Sequence, residues 1–71
     1  MSTDSIKEAL GKNLREARLD KRMTQEGVAD AIGSTVNYYA KIERGKSIPS
    51  LQMLEKLCEV LDKTATELAE F

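Results

Sequence analysis

The stretch Gly33-Ser34-Thr35-Val36-Asn37-Tyr38-Tyr39-Ala40-Lys41-Ile42-Glu43-Arg44-Gly45 (GSTVNYYAKIERG) decides how this chain is read. A glycine stands at each end, and neither Gly nor Pro interrupts the middle. Ser34 can cap a helix, and Gly45 can stop one. The spacing predicts a helix over about Thr35 to Arg44, with Tyr39 and Ile42 turned inward. The opposite side carries Thr35, Asn37, Tyr38 and Lys41, an outer face of hydroxyl, amide and ammonium groups. Such a face offers hydrogen-bond donors and acceptors to something outside the chain.

Upstream, a second short helix begins at Thr24, a good N-cap. Gly27 stands three residues later, where a capping box would want Glu or Gln. Val28, Ala29 and Ile32 face inward, and Gly33 breaks the helix. Two short helices meeting at a tight turn make the helix-turn-helix layout. In that layout the second helix enters the DNA major groove while the first crosses the backbone. Ala29 is small where the two helices would cross.

The flanking sequence completes an all-α reading. Ile6, Ala9, Leu10, Leu14 and Ala17 recur at helical spacing and predict a first helix from about Asp4 to Lys21, with Ser2, Thr3 and Asp4 as candidate caps. Gly11 inside it costs up to about 1 kcal/mol relative to Ala, and permits a close helix contact. Lys46-Ser47-Ile48-Pro49 reads as a loop. Ser50 caps a fourth helix whose Leu51, Leu54, Leu57, Cys58 and Leu61 form an apolar stripe. Thr64 and Glu67 form a capping box for a final short helix carrying Leu68 and Phe71. No stretch shows strand alternation. The expected architecture is one compact five-helix bundle over residues 1–71, with the helix-turn-helix at about 24–44.

Composition narrows the function. A chain of 71 residues buries only roughly 60% of its unfolded surface, so its stability margin is thin. Its single cysteine, Cys58, argues against a secreted disulfide scaffold and fits a reducing cytosol, so the expected location is cytoplasmic. No apolar run approaches the roughly 20 residues of a membrane span, and the first residues lack the pattern of a signal peptide. The net charge is −1, whereas a basic domain is the usual footprint of nucleic-acid binding. The distribution is more informative than the sum. Residues 1–30 carry six Lys/Arg and six Asp/Glu, residues 31–50 three and one, and residues 51–71 two and five. A phosphate-binding face therefore belongs in the first two-thirds, and the acidic last third should turn away from it. The chain has no histidine, no metal-ligand spacing, no phosphate-binding glycine loop and no nucleophile–base arrangement, which leaves little for an enzyme to work with. No metal or other cofactor is expected.

With these residues in view, the chain resembles the phage repressor and Cro-like family of helix-turn-helix regulators, also called the xenobiotic-response-element family. The resemblance runs from about Leu10 to Phe71. It is carried by Leu10-Gly11, Leu14-Arg15, Arg18, Met23-Thr24-Gln25-Glu26, Val28-Ala29, Ile32-Gly33, Tyr38, Ile42-Glu43-Arg44-Gly45, Pro49-Ser50-Leu51 and the Leu57–Leu61 run. It implies a lambda-repressor-like DNA-binding domain. By the same resemblance, Thr24 and Gln25 sit against DNA phosphates, and Thr35, Val36, Asn37 and Lys41 face the bases. The chemistry agrees: Asn pairs with adenine, Thr bonds or touches a thymine methyl, Val touches a methyl, and Lys reaches guanine. Val36 departs from the polar residue often found at its place, which favours apolar readout there. Tyr38 is placed where its hydroxyl reaches a phosphate or base. Arg44, Lys46 and Ser47 resemble the loop contacts to phosphate that set register without reading sequence.

The resemblance also implies a structural ion pair, Arg18 with Glu43, tying the first helix to the end of the recognition helix. Two further residues depart from the family pattern. Tyr39 replaces an aliphatic residue, and its ring is expected in the core with the hydroxyl at the edge. Arg22 stands where Gly is frequent, so the turn after the first helix needs another solution.

One short helix reads few base pairs, and proteins of this layout present two recognition helices about 34–36 Å apart. A homodimer is therefore expected, with Met53, Val60, Leu68 and Phe71 of the acidic third at its interface. Its partner would be a double-stranded operator with inverted half-sites, where it blocks or recruits RNA polymerase. The controller of a restriction-modification operon is one form such a small regulator takes. An interaction module, such as an antitoxin whose C-terminal helices grip a partner protein, is the alternative.

Overall fold

Four helices begin at a hydroxyl that accepts a hydrogen bond from the backbone three residues on. Thr24 accepts from the Gly27 N–H at 2.9 Å, Thr35 from Tyr38 at 3.1 Å, Ser50 from Met53 at 3.1 Å and Thr64 from Glu67 at 3.1 Å. Each cap satisfies a donor that the first helical turn leaves without a partner. In the last of these the Glu67 carboxylate also accepts from the Thr64 N–H at 2.9 Å, closing the expected capping box. The structure is a computed structural model and describes residues 3–69. The capping reading at Ser2 and the interface reading at Phe71 lie outside those residues.

The described chain is helical in five segments: α1 (Thr3–Asp20), α2 (Gln25–Ala31), α3 (Val36–Glu43), α4 (Leu51–Leu61) and α5 (Ala65–Leu68). The order is the expected one, and the bounds shift by a residue or so. One cap is corrected. Ser34 does not start α3; its hydroxyl donates to the Thr35 carbonyl at 2.9 Å, and Thr35 takes the cap with extended backbone. Both residues are good caps by type, and only the backbone angle selects between them.

Helices α1 and α2 both pack on α3, while α5 closes against α1 and α4, and α2 touches α4. The core collects Leu14, Val28, Ile32, Tyr39, Ile42, Leu57, Leu61 and Leu68, all under 2% exposed. Each such apolar side chain contributes roughly 1.5–3 kcal/mol on burial, which a domain this small cannot spare. The stripe expected on α4 holds for Leu57 and Leu61, with Leu54 and Cys58 half-buried. Its first member does not follow: Leu51 is 85% exposed. It shares the period of the stripe, but it lies at the helix end, beyond the packed part of the seam.

Two turns set the interhelical angles. Gly33 adopts φ +72° at the break between α2 and α3, the left-handed region that glycine enters without strain. The turn after α1 reaches the same region with Arg22, at φ +56°. The Met23 N–H then bonds back to the Arg18 carbonyl at 3.1 Å. A left-handed arginine is therefore the solution that replaces the glycine. Gly11 explains itself by contact: a Cβ there would lie 2.6 Å from the Ile42 carbonyl oxygen and closer still to that of Glu43. The absence of a side chain lets α1 lie directly against the end of α3.

Candidate nucleic-acid interface

The outer side of α3 is open. Thr35, Asn37 and Lys41 are exposed, and Val36 is 37% exposed. Asn37 and Lys41 lie one turn apart, four residues along the helix, so they project from neighbouring positions of one face. Thr35 spends an oxygen lone pair on its cap bond, yet its O–H remains a donor for a base or phosphate. Tyr38 is half-buried with its ring against the core. Arg44 and Lys46 are exposed just past the helix, and Ser47 is half-buried beside them. Thr24 is exposed at the start of α2.

Behind this face lies a polar hub. Arg18 and Glu43 make a two-point ion pair, Nε to Oε2 at 2.7 Å and a second nitrogen to Oε1 at 3.1 Å. Their side chains are only 11% and 4% exposed. The remaining Arg18 nitrogen donates to the Met23 carbonyl at 3.0 Å, so the guanidinium also braces the turn into α2. The pair expected from the sequence is present, and it is more than a pair: the Gln25 Nε2 donates to Glu43 Oε1 at 3.0 Å. One carboxylate thus joins α1, α2 and α3. Residue type and spacing do not foretell the Gln25 bond, because Gln25 and Glu43 stand 18 residues apart and meet only through the fold.

The charge states of the hub follow from these contacts. The hydrogen bond to Glu43 is the main reason the Arg18 pKa is raised. Burial alone would raise the Glu43 carboxyl, but donors from Arg18 and Gln25, with the Tyr39 hydroxyl nearby, outweigh it and hold the group below its usual value. Tyr39 corrects the expectation of a hydroxyl at the edge. The whole side chain is buried, and the hydroxyl has no hydrogen-bond partner of acceptable geometry. Burial, and then the adjacent Glu43 carboxylate, raise its pKa well above the ordinary value. Both effects favour the neutral phenol.

A family profile described as helix-turn-helix matches residues 14–68, spanning the hub and the open face. The chain belongs to the Cro/C1-type helix-turn-helix family of transcriptional regulators. This helix-turn-helix regulator is 40% identical over 62 residues to the HTH-type transcriptional regulator YazB of Bacillus subtilis, covering 87% of this chain and 90% of YazB. It is 34% identical over 55 residues to the CTXphi transcriptional repressor RstR of Vibrio cholerae, covering 78% of this chain and 50% of RstR. Among solved structures, the restriction-modification controller C.AhdI of Aeromonas hydrophila superimposes with a TM-score of 0.82 at 35% identity, covering 87% of this chain and 94% of that one. The clp gene regulator ClgR of Corynebacterium glutamicum gives 0.85 at 32% identity, covering 89% of this chain and 67% of that one. The family is one of DNA-binding regulators and not of enzymes.

The residues expected at a dimer interface divide. Met53 and Val60 are half-buried and packed against the core. Leu68 is corrected: at 1% exposed it belongs to this regulator's own core, where α5 closes on α1 and α4. Among the described residues, the large apolar side chains left exposed are Leu19 at 52%, Val36 at 37%, Ile48 at 48% and Leu51 at 85%. Placing Leu51 on the helix end rather than on the stripe was the signal that could have found it. No helix among the described residues is long and apolar enough to cross a membrane.

Proposed function

We propose that the chain is a sequence-specific regulator that binds operator half-sites as a homodimer, with α3 in the major groove. Residues 1–71 act as one DNA-binding unit, in a bacterial cytoplasm or from a phage genome. Thr35, Val36, Asn37 and Lys41 read base edges. Thr24, Gln25, Tyr38, Arg44, Lys46 and Ser47 contact phosphate and fix the register. The observation that carries this reading is the open, polar outer side of α3 on a helix braced from behind by Arg18 and Glu43. Base readout needs side chains held in one place, and a helix tied to two others supplies that.

The local charge supports the same face. Lys41, Arg44 and Lys46 surround the end of α3, while the hub carboxylate is neutralised by its arginine. The overall charge of −1 then does not oppose DNA, because the surplus acid lies in residues 51–71. The names of RstR and C.AhdI, a repressor and a controller protein, favour operator binding that blocks or recruits RNA polymerase. A gel shift with DNA from upstream of the chain's own coding sequence, with and without excess random DNA, tests it. Retention that survives the competitor and weakens steeply with salt is expected, because phosphate contacts release counterions. No retardation at low salt would overturn the reading.

A further inference from the structure

Gln25 is assigned above to DNA, yet one of its amide hydrogens is already engaged by Glu43 at 3.0 Å. A glutamine amide has two donors and an acceptor oxygen. The carboxylate can only accept, so the end of the amide that faces it must be the nitrogen. Turning the amide over would set the Gln25 carbonyl oxygen against an anion. Glu43 itself has little freedom, being held at both oxygens by Arg18 and only 4% exposed at its side chain. Gln25 is half-buried, so part of the residue stays open to solvent while its amide is held by Glu43.

We infer that Glu43 is a positioning residue for DNA binding: it orients the Gln25 amide, so that the second N–H is presented to a backbone phosphate without a rotamer search. This rests on the reading of α2 and α3 as the DNA-binding face. It gives the Arg18–Glu43 pair a task beyond holding α1 to α3. The groups facing the carboxylate are Arg18 from α1, Gln25 from α2 and Tyr39 from α3. Two of them donate to it, and the buried Tyr39 hydroxyl lies alongside. Gln25 is the one among these three that is half-buried and also stands on the proposed DNA side.

The test is a double-mutant cycle read by anisotropy on labelled duplex DNA. Gln25→Ala is expected to weaken the parent protein roughly tenfold, the loss of one hydrogen bond to a charged group. In the Arg18→Met/Glu43→Leu background, which replaces the ion pair by apolar residues of similar volume, the same substitution should cost less than about twofold. Equal losses in the two backgrounds overturn the inference. A second measurement covers the case in which the double variant does not fold. In the NMR spectrum of the unaltered protein, the side-chain amide protons of Gln25 should exchange with water more slowly than those of the exposed Gln52. Equal exchange overturns the inference as well. If the unaltered protein shows no salt-dependent DNA binding, the functional reading falls instead, and the exchange measurement still decides how Glu43 holds the amide.

Discussion

Replacing Gly11 by alanine sets two effects of opposite sign against each other. In an ordinary exposed helix the change stabilises by about 1 kcal/mol, because glycine loses more backbone entropy on folding. Here the added methyl would lie 2.6 Å from the Ile42 carbonyl oxygen and 2.9 Å from the Glu43 carbonyl carbon. Both are backbone atoms at the end of α3, so no flexible side chain can step aside. Helices α1 and α3 must separate by several tenths of an ångström, and overpacking of this kind costs about 1–3 kcal/mol. The separation also pulls on the Arg18–Glu43 bonds, which span the same contact. The net expectation is a loss of up to about 2 kcal/mol, or up to roughly 15 °C in Tm for a domain of this size. Thermal unfolding followed by circular dichroism reads it directly. A Tm equal to or above that of the parent would mean that propensity governs the site and that the close α1–α3 approach is wrong.

Other substitutions probe the turn, the hub and the face. Arg22→Gly should raise stability by about 1 kcal/mol, since a left-handed arginine carries strain that glycine lacks; an unchanged or lower denaturant midpoint would contradict that backbone conformation. Tyr39→Phe should leave Tm unchanged or higher, because it removes a buried hydroxyl with no partner; a clear fall would mean that the hydroxyl bonds Glu43. The Glu43 pKa is lower in the folded chain than in the unfolded one, so its contribution is complete above the unfolded value and is lost as pH falls through the folded one. The Tm of the parent should therefore drop more steeply on acidification below about pH 4.5 than that of the Arg18→Met/Glu43→Leu variant, and parallel curves would refute the charged hub. Asn37→Ala should weaken operator binding by about 1–3 kcal/mol with little effect on random DNA, whereas Lys46→Ala should weaken both and lower the salt slope by about one; equal effects of the two would undo the division into base and phosphate contacts.

Much of the fold is written in local chemistry. Thr24, Ser50 and Thr64 are capping residues whose bonds form within three residues, so sequence alone locates them. Gly33 and Gly45 mark the turns because both take positive φ. The ion pair was legible through the family pattern. What was not legible depends on distance in the chain or on one angle. Ser34 and Thr35 differ only in which backbone is extended. Gln25 finds Glu43 through the packing of α2 on α3. Leu68 and Leu51 are both leucines at helical spacing, and only the placement of the helix ends decides that the first is buried and the second bare. Tyr39 carries a polar atom into a place where the family pattern has an aliphatic residue, so its hydroxyl ends inside rather than at the rim.

The central claim is that the open side of α3 is the surface that meets DNA. Amide chemical-shift mapping of the labelled chain with a short duplex at low salt tests it without knowledge of the operator. The account predicts the largest changes at Thr24–Gln25, Thr35–Lys41 and Arg44–Ser47, with α4 beyond its first turn left nearly unchanged. Changes concentrated on Glu55, Glu59 and their neighbours along α4, with the α3 face silent, would contradict it.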